Sequence, residues 1–233
     1  MARRGRLIVF LGPVGVGKST IIRGLTQELR ARGFRTYTIF IKAFHGPTYA
    51  LWVLTARLLG LNGKYAPWFI IPRSGRVNLA RTLMMLSIYL DAFLSIPFKL
   101  VIIKILKYFK YYILSEEYIQ STLFDYIFAT IDLKIKGKFI NIPINIMYIL
   151  LIKYLPDALV VLMADIYELR RRWKIRGYGD PQLRYIKLQY IFLNIFLNEI
   201  HKLNRTLNIN TSNISVKAIL NKVLNEIFKN DEI

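Results

Sequence analysis

The sequence predicts an α/β fold, a parallel sheet with helices on both faces, from three observations. Short β-rich runs alternate with longer helical ones along the chain. A glycine-rich loop separates the first apolar run from the first helical stretch. The run "ALVVLMA", Ala158–Ala164, is apolar without alternation, as suits a strand buried on both faces of a parallel sheet. At 233 residues the chain has the length of one sizeable core, so a single domain over residues 1–233 is expected.

Each element has its own signal. Leu7–Leu11 is an apolar first strand, and Lys18–Arg32 a helix closed by Gly33. "RTYTIFI", Arg35–Ile41, is β-branched and aromatic and reads as the second strand. Pro47–Leu59 is helical and stops at Gly60, and residues 62–76, rich in Pro and Gly, read as a loop. Val77–Phe109 is a long apolar helical region, expected to be interrupted near Pro97. "YYILS", Tyr111–Ser115, is the third strand, followed by helices over Ser121–Asp132 and Ile140–Tyr154. After the strand at Ala158, helices are expected at Tyr167–Ile175 and Pro181–Asn204, a short strand at Thr206–Ile209 and a closing helix at Ser215–Lys229.

Composition excludes several chemistries. The chain has no cysteine and two histidines, so disulfides, thiolate metal sites and a cysteine nucleophile are absent and a histidine-based metal centre is not expected. The longest uncharged runs, Ala43–Ala56 and Phe139–Ile152, are 14 residues each, below the roughly 18 that a membrane span needs, so no integral span is expected. The basic N-terminus carries only five apolar residues before the glycine loop, which suits a strand better than a secretory leader, and a cytoplasmic protein is expected. Net charge is +20, concentrated at Met1–Arg35 and Arg170–Arg205, a balance that attracts nucleotides, nucleic acid or anionic lipid without choosing among them.

The loop Gly12-Pro13-Val14-Gly15-Val16-Gly17-Lys18-Ser19 fits G-x-x-x-x-G-K-[ST] at every fixed position, in a strand–loop–helix context. Glycines let the backbone wrap so that successive N–H groups and the positive end of the following helix point at a phosphate. Lys18 is placed to reach the β- and γ-phosphates, the Ser19 hydroxyl to bind Mg²⁺ and Thr20 to support the α-phosphate. ATP or GTP is the expected ligand. A second basic cluster, "YELRRRWKIRGYGDP", puts Arg171, Arg172 and Arg176 ahead of a glycine-flanked segment. Arginines there suit a lid, over about residues 168–182, closing on a transferring phosphoryl group; the same spacing also suits a solvated or nucleic-acid-binding face.

Beyond the loop, "YYILSEEYIQSTLFDY", "LPDALVVLMADIYELRRRWKIRG" and "TLNINTS" follow in an order and spacing that resemble thymidylate kinase and its nucleoside-monophosphate kinase relatives. The resemblance implies a five-stranded parallel sheet of order 2-3-1-4-5, ATP and Mg²⁺ as cofactors, and a monophosphate acceptor. It also implies a homodimer. Carried over by position, Lys42 falls near the family's basic residue after strand two, and Glu116 takes the motif aspartate's place as a metal contact beside Ser19. Arg171, Arg172 and Arg176 become lid residues, and Asn210 to Ser212 border the adenine. Glu117 stands where the family has an arginine, putting negative charge beside the substrate phosphate. The second reading is a P-loop nucleotide-binding protein that uses its basic surface on nucleic acid. A third, suggested by "FINIPINIMYILLIKYL", is a membrane-surface protein.

Overall fold

The structure, a computed structural model, describes residues 4–61, 66–175, 183–199 and 205–228. It resolves the expected single domain into two compact units. Unit 1 holds the chain up to Phe40, Ile102–Tyr118 and Leu155 onward, and unit 2 holds Ile41–Val101 and Ile119–Tyr154.

Unit 1 is built on five parallel strands, β1 (Arg6–Leu11), β2 (Thr36–Phe40), β3 (Tyr112–Glu116), β4 (Ala158–Met163) and β5 (Thr206–Asn210). Their order is β2-β3-β1-β4-β5, as the resemblance implied. β1 has β3 on one side and β4 on the other, the switch point at which open α/β sheets bind ligands outside the carboxyl ends of their strands. Alternation within β1 sends Ile8 and Phe10 to one face. There they pack with Ile21, Leu25 and Leu29 of α1 (Lys18–Ala31) and Val223 of the C-terminal helix, Val216–Ile227. Leu7, Val9 and Leu11 on the other face are also buried, which explains the uninterrupted apolar run. The closing helix starts at a proper N-cap, with the Ser215 hydroxyl accepting the Ala218 amide.

Unit 2 is helical. α2 spans Pro47–Leu58, α3 Pro67–Arg73 and α4 Val77–Leu90, and a π-turn at Asp91–Ser95 runs into α5, Ile96–Tyr108, whose residues from Ile102 on belong to unit 1. α6 spans Ile119–Asp132 and α7 Asn141–Lys153. Two expectations are corrected here. Residues 67–73 of the supposed loop form α3, because Pro67 sits in its first turn, where a missing N–H costs nothing. Pro97 does not break the long helix: the π-turn before it, with the Ile96 amide bonded to the Asp91 carbonyl, widens the backbone where the proline ring would clash. The resulting helix, Val77–Tyr108, runs 32 residues with mean hydropathy 1.8 over its most apolar stretch, 44% of which is buried. Its length and composition fit a membrane span, as the uncharged runs of the sequence did not, and its partial burial fits a core helix.

The C-terminal half of unit 1 adds α8 (Ile166–Ile175) and α9 (Leu183–Glu199), and the closing helix is α10. Leu169 of α8 and Ile186 of α9 join the same core as β1.

Candidate functional site

The chain leaves β1 at Leu11 and turns through Gly12 to Gly17 into α1. Gly12 and Gly15 have φ of 142° and 91°, and each is hemmed in: a Cβ on Gly12 would lie 2.1 Å from the Leu162 carbonyl oxygen, and one on Gly15 2.7 Å from the Trp173 indole nitrogen. Only glycine satisfies both the backbone angle and the space. No side chain caps the start of α1, whose first-turn amides therefore keep free donors at the loop. The loop's carbonyls are turned to other partners. Pro13 O accepts from Lys18, Val14 O from the Trp173 indole at 2.8 Å, and Val16 O from Arg172 at 2.9 Å and Thr211 at 3.2 Å. Tying up carbonyls in this way removes negative dipoles from the concave side, which suits an anion.

Pairing of β1 with β3 aligns Phe10 with Glu116, so both acids of "SEEY" arrive beside the loop. The Ser19 hydroxyl donates to Glu116 Oε1 at 2.7 Å in an exposed position. Two hard oxygens so placed fit Mg²⁺, which keeps several waters and completes its shell with phosphate. Glu117 goes elsewhere. Its φ is 67°, its amide donates to the Phe10 carbonyl and its carbonyl accepts from Ser115. This turn points its carboxylate at Lys18 Nζ, 2.8 Å away, with both side chains almost wholly buried. Lys18 also donates to Gly12 O at 2.6 Å and Pro13 O at 3.1 Å. An ammonium has three N–H groups, and these three acceptors match them.

The arginines divide. Arg172 reaches Val16 O, Thr211 Oγ1 and Thr211 O at 2.8–3.0 Å and pins the loop to the segment after β5. It thus holds the loop's main chain in this structure. Arg171 is exposed and donates twice to Glu168, whose carboxyl is held down at about 2, chiefly by that contact and with help from Arg172. Arg176 and the "GYGDP" segment lie outside the described residues. The Asn210 side chain accepts the Ser212 amide, and the Ser212 hydroxyl accepts the Asp165 amide, joining the loops after β4 and β5. Thr20 is exposed at the loop end of α1.

Lys42 lies in unit 2, half-buried, near His45. Burial, with Lys99 and Lys42 nearby, lowers the His45 pKa, against the pull of the Ala43 carbonyl 2.8 Å from Nδ1. Sequence reasoning missed Trp173. Trp173 stands beside Arg172, so the only available signal was a large aromatic inside a basic helix.

A glycine loop at the switch point of a parallel sheet of this order defines the P-loop kinase fold. The chain is similar in structure to thymidylate kinase from Candida albicans, with a TM-score of 0.58 and 19% identity, over 98% of this chain and 93% of that one. No family model matches the sequence, and no curated protein does.

Proposed function

We propose that this chain is an Mg²⁺-dependent nucleotide kinase, transferring the γ-phosphoryl group of ATP to a nucleoside monophosphate. Thymidine monophosphate follows from the resemblance, and another nucleoside or nucleotide is the alternative acceptor. The observation that carries the reading is the convergence on one loop of a phosphate cradle, Lys18, and the Ser19–Glu116 pair at 2.7 Å. The structurally similar Candida albicans protein is described as having broad substrate specificity, in keeping with an acceptor not confined to one base.

In this reading the loop amides from Val14 to Thr20 and Lys18 hold the β- and γ-phosphates in line with the acceptor, and positioning is most of the catalysis. Ser19 and Glu116 hold Mg²⁺ directly or through water; bound there, the ion neutralises charge on the phosphates. Arg171 and Arg176 serve as lid cations that stabilise charge spreading over the transferred group, while Asn210 and Ser212 border the adenine. Lys42 serves in this reading as an acceptor-binding cation. The bond from the γ-phosphorus to the β,γ-bridging oxygen breaks as one forms to an acceptor oxygen, leaving ADP. A cytoplasmic setting, where ATP is abundant, goes with this reading.

ADP release from Mg·ATP, measured alone and with each nucleoside and monophosphate, tests it, with Lys18→Ala as blank. Acceleration by one acceptor, lost in that variant, is expected. The Glu117 contact to Lys18 favours a second reading, a nucleotide-binding switch with a basic nucleic-acid surface and no transfer. Turnover indifferent to every acceptor, together with steeply salt-dependent oligonucleotide binding, would select it.

A further inference from the structure

A surface helix ordinarily turns a polar face to water. α7 does not. From Phe139 to Ile152 the chain carries no charged side chain. Pro143, Met147 and Leu151 of α7 are buried, while Ile142, Ile149 and Ile152 are 50%, 60% and 44% exposed. Spacings of seven and three place these isoleucines on one face, with the exposed Asn145 among them. Phe139, just ahead of the helix, is 73% exposed, and its carbonyl accepts the Tyr89 hydroxyl. Tyr89 stacks on Phe93, also exposed, so the apolar surface of unit 2 continues from α7 to the π-turn. An outward apolar surface on this scale marks an interaction site.

Charge selects the occupant. Lys134, Lys136 and Lys138 are exposed at one end of the helix and Lys153 at the other, and no acid occurs between Asp132 and Asp157. A second copy laid on this face, parallel or antiparallel, would bring lysine against lysine. An anionic bilayer instead meets both the apolar face and the cations. We propose that the α7 face of unit 2 docks on an anionic phospholipid surface, the helix lying in the membrane plane with its isoleucines at the acyl boundary and its lysines among the headgroup phosphates. At 13 residues, about 20 Å, α7 is too short to cross.

The test is co-sedimentation of the full chain with vesicles of phosphatidylcholine plus phosphatidylserine, and with phosphatidylcholine alone. Binding to the mixed vesicles, weakened by salt and about tenfold or more above that on neutral ones, is expected. Ile149→Asn with Ile152→Asn, and separately Lys134→Gln with Lys136→Gln and Lys138→Gln, should each lower partitioning about tenfold. The lysine variant should also lose most of the salt dependence. These positions are exposed and outside the loop machinery, so circular dichroism and basal ADP release should be unchanged. If the isoleucine variant does not fold, the lysine variant decides. Absence of binding at low salt overturns the proposal, as does full binding by the lysine variant. A dimer in sedimentation equilibrium that the isoleucine variant dissolves, with no vesicle binding, assigns the face to a second copy instead.

Discussion

With Gly12 O, Pro13 O and Glu117 Oε1 all within 3.1 Å, the Lys18 ammonium has no N–H left for a phosphate. A nucleotide must therefore displace at least one of these acceptors, and the carboxylate is the one that also repels it. Glu117→Gln leaves a buried lysine poorly compensated, at a cost of about 3 kcal/mol. Its melting temperature without ligand should fall, while calorimetric titration should show Mg·ATP binding about tenfold tighter. Unchanged affinity would show that Glu117 withdraws without cost. Arg172 acts on the loop's main chain, so Arg172→Ala should weaken Mg·ATP binding and stability together, whereas Arg171→Ala should lower turnover with little change in binding. A turnover-only loss in Arg172→Ala would return it to the lid.

At the scale of elements, the loop is tight at its glycines and the π-turn buries an acid. Gly15→Ala forces a methyl group into the Trp173 indole at a φ of 91°, and should cost about 1–3 kcal/mol in urea unfolding with a shifted tryptophan emission. An unchanged midpoint would show that α8 moves freely away from the loop. In the π-turn, Asp91 is 1% exposed and accepts hydrogen bonds from Tyr126 at 2.5 Å and Thr48 at 3.2 Å. Burial raises its pKa above the ordinary 3.8, although those hydrogen bonds oppose the rise. Between 3.8 and the raised value the folded chain binds more protons than the unfolded one, so Asp91 lowers unfolding free energy as pH rises through that window. Asp91→Asn should flatten that fall in urea titrations run from acid to neutral pH. A parallel curve would assign the slope to other groups.

Over the whole molecule a net charge of +20 sets chain against itself. Ion pairs that oppose it among the described residues include the buried Lys18–Glu117, the half-buried Lys107–Asp157, and Arg32–Glu28, which is exposed and worth little. Raising sodium chloride from about 0.01 M to 0.15 M shortens the screening length from about 30 Å to 8 Å. The melting temperature should rise over that range. A fall would mean that attraction between charges outweighs the repulsion.

The alternation of strands and helices and the phosphate loop were legible because they rest on local terms: side-chain periodicity, proline and glycine stereochemistry, and a motif confined to Gly12–Ser19. The π-turn was not, since it depends on how neighbouring backbone absorbs a proline, and α3 was hidden because its prolines and glycines also suit a loop. The sequence by itself determined which residues form the cradle. Tertiary structure alone decided what surrounds it, bringing Glu116 to Ser19 across 97 positions and Trp173 to Val14 across 159. The reason is physical: periodicity records which face of a strand is buried, whereas strand order and register arise from packing between distant segments, and they alone set Glu117 rather than water against Lys18.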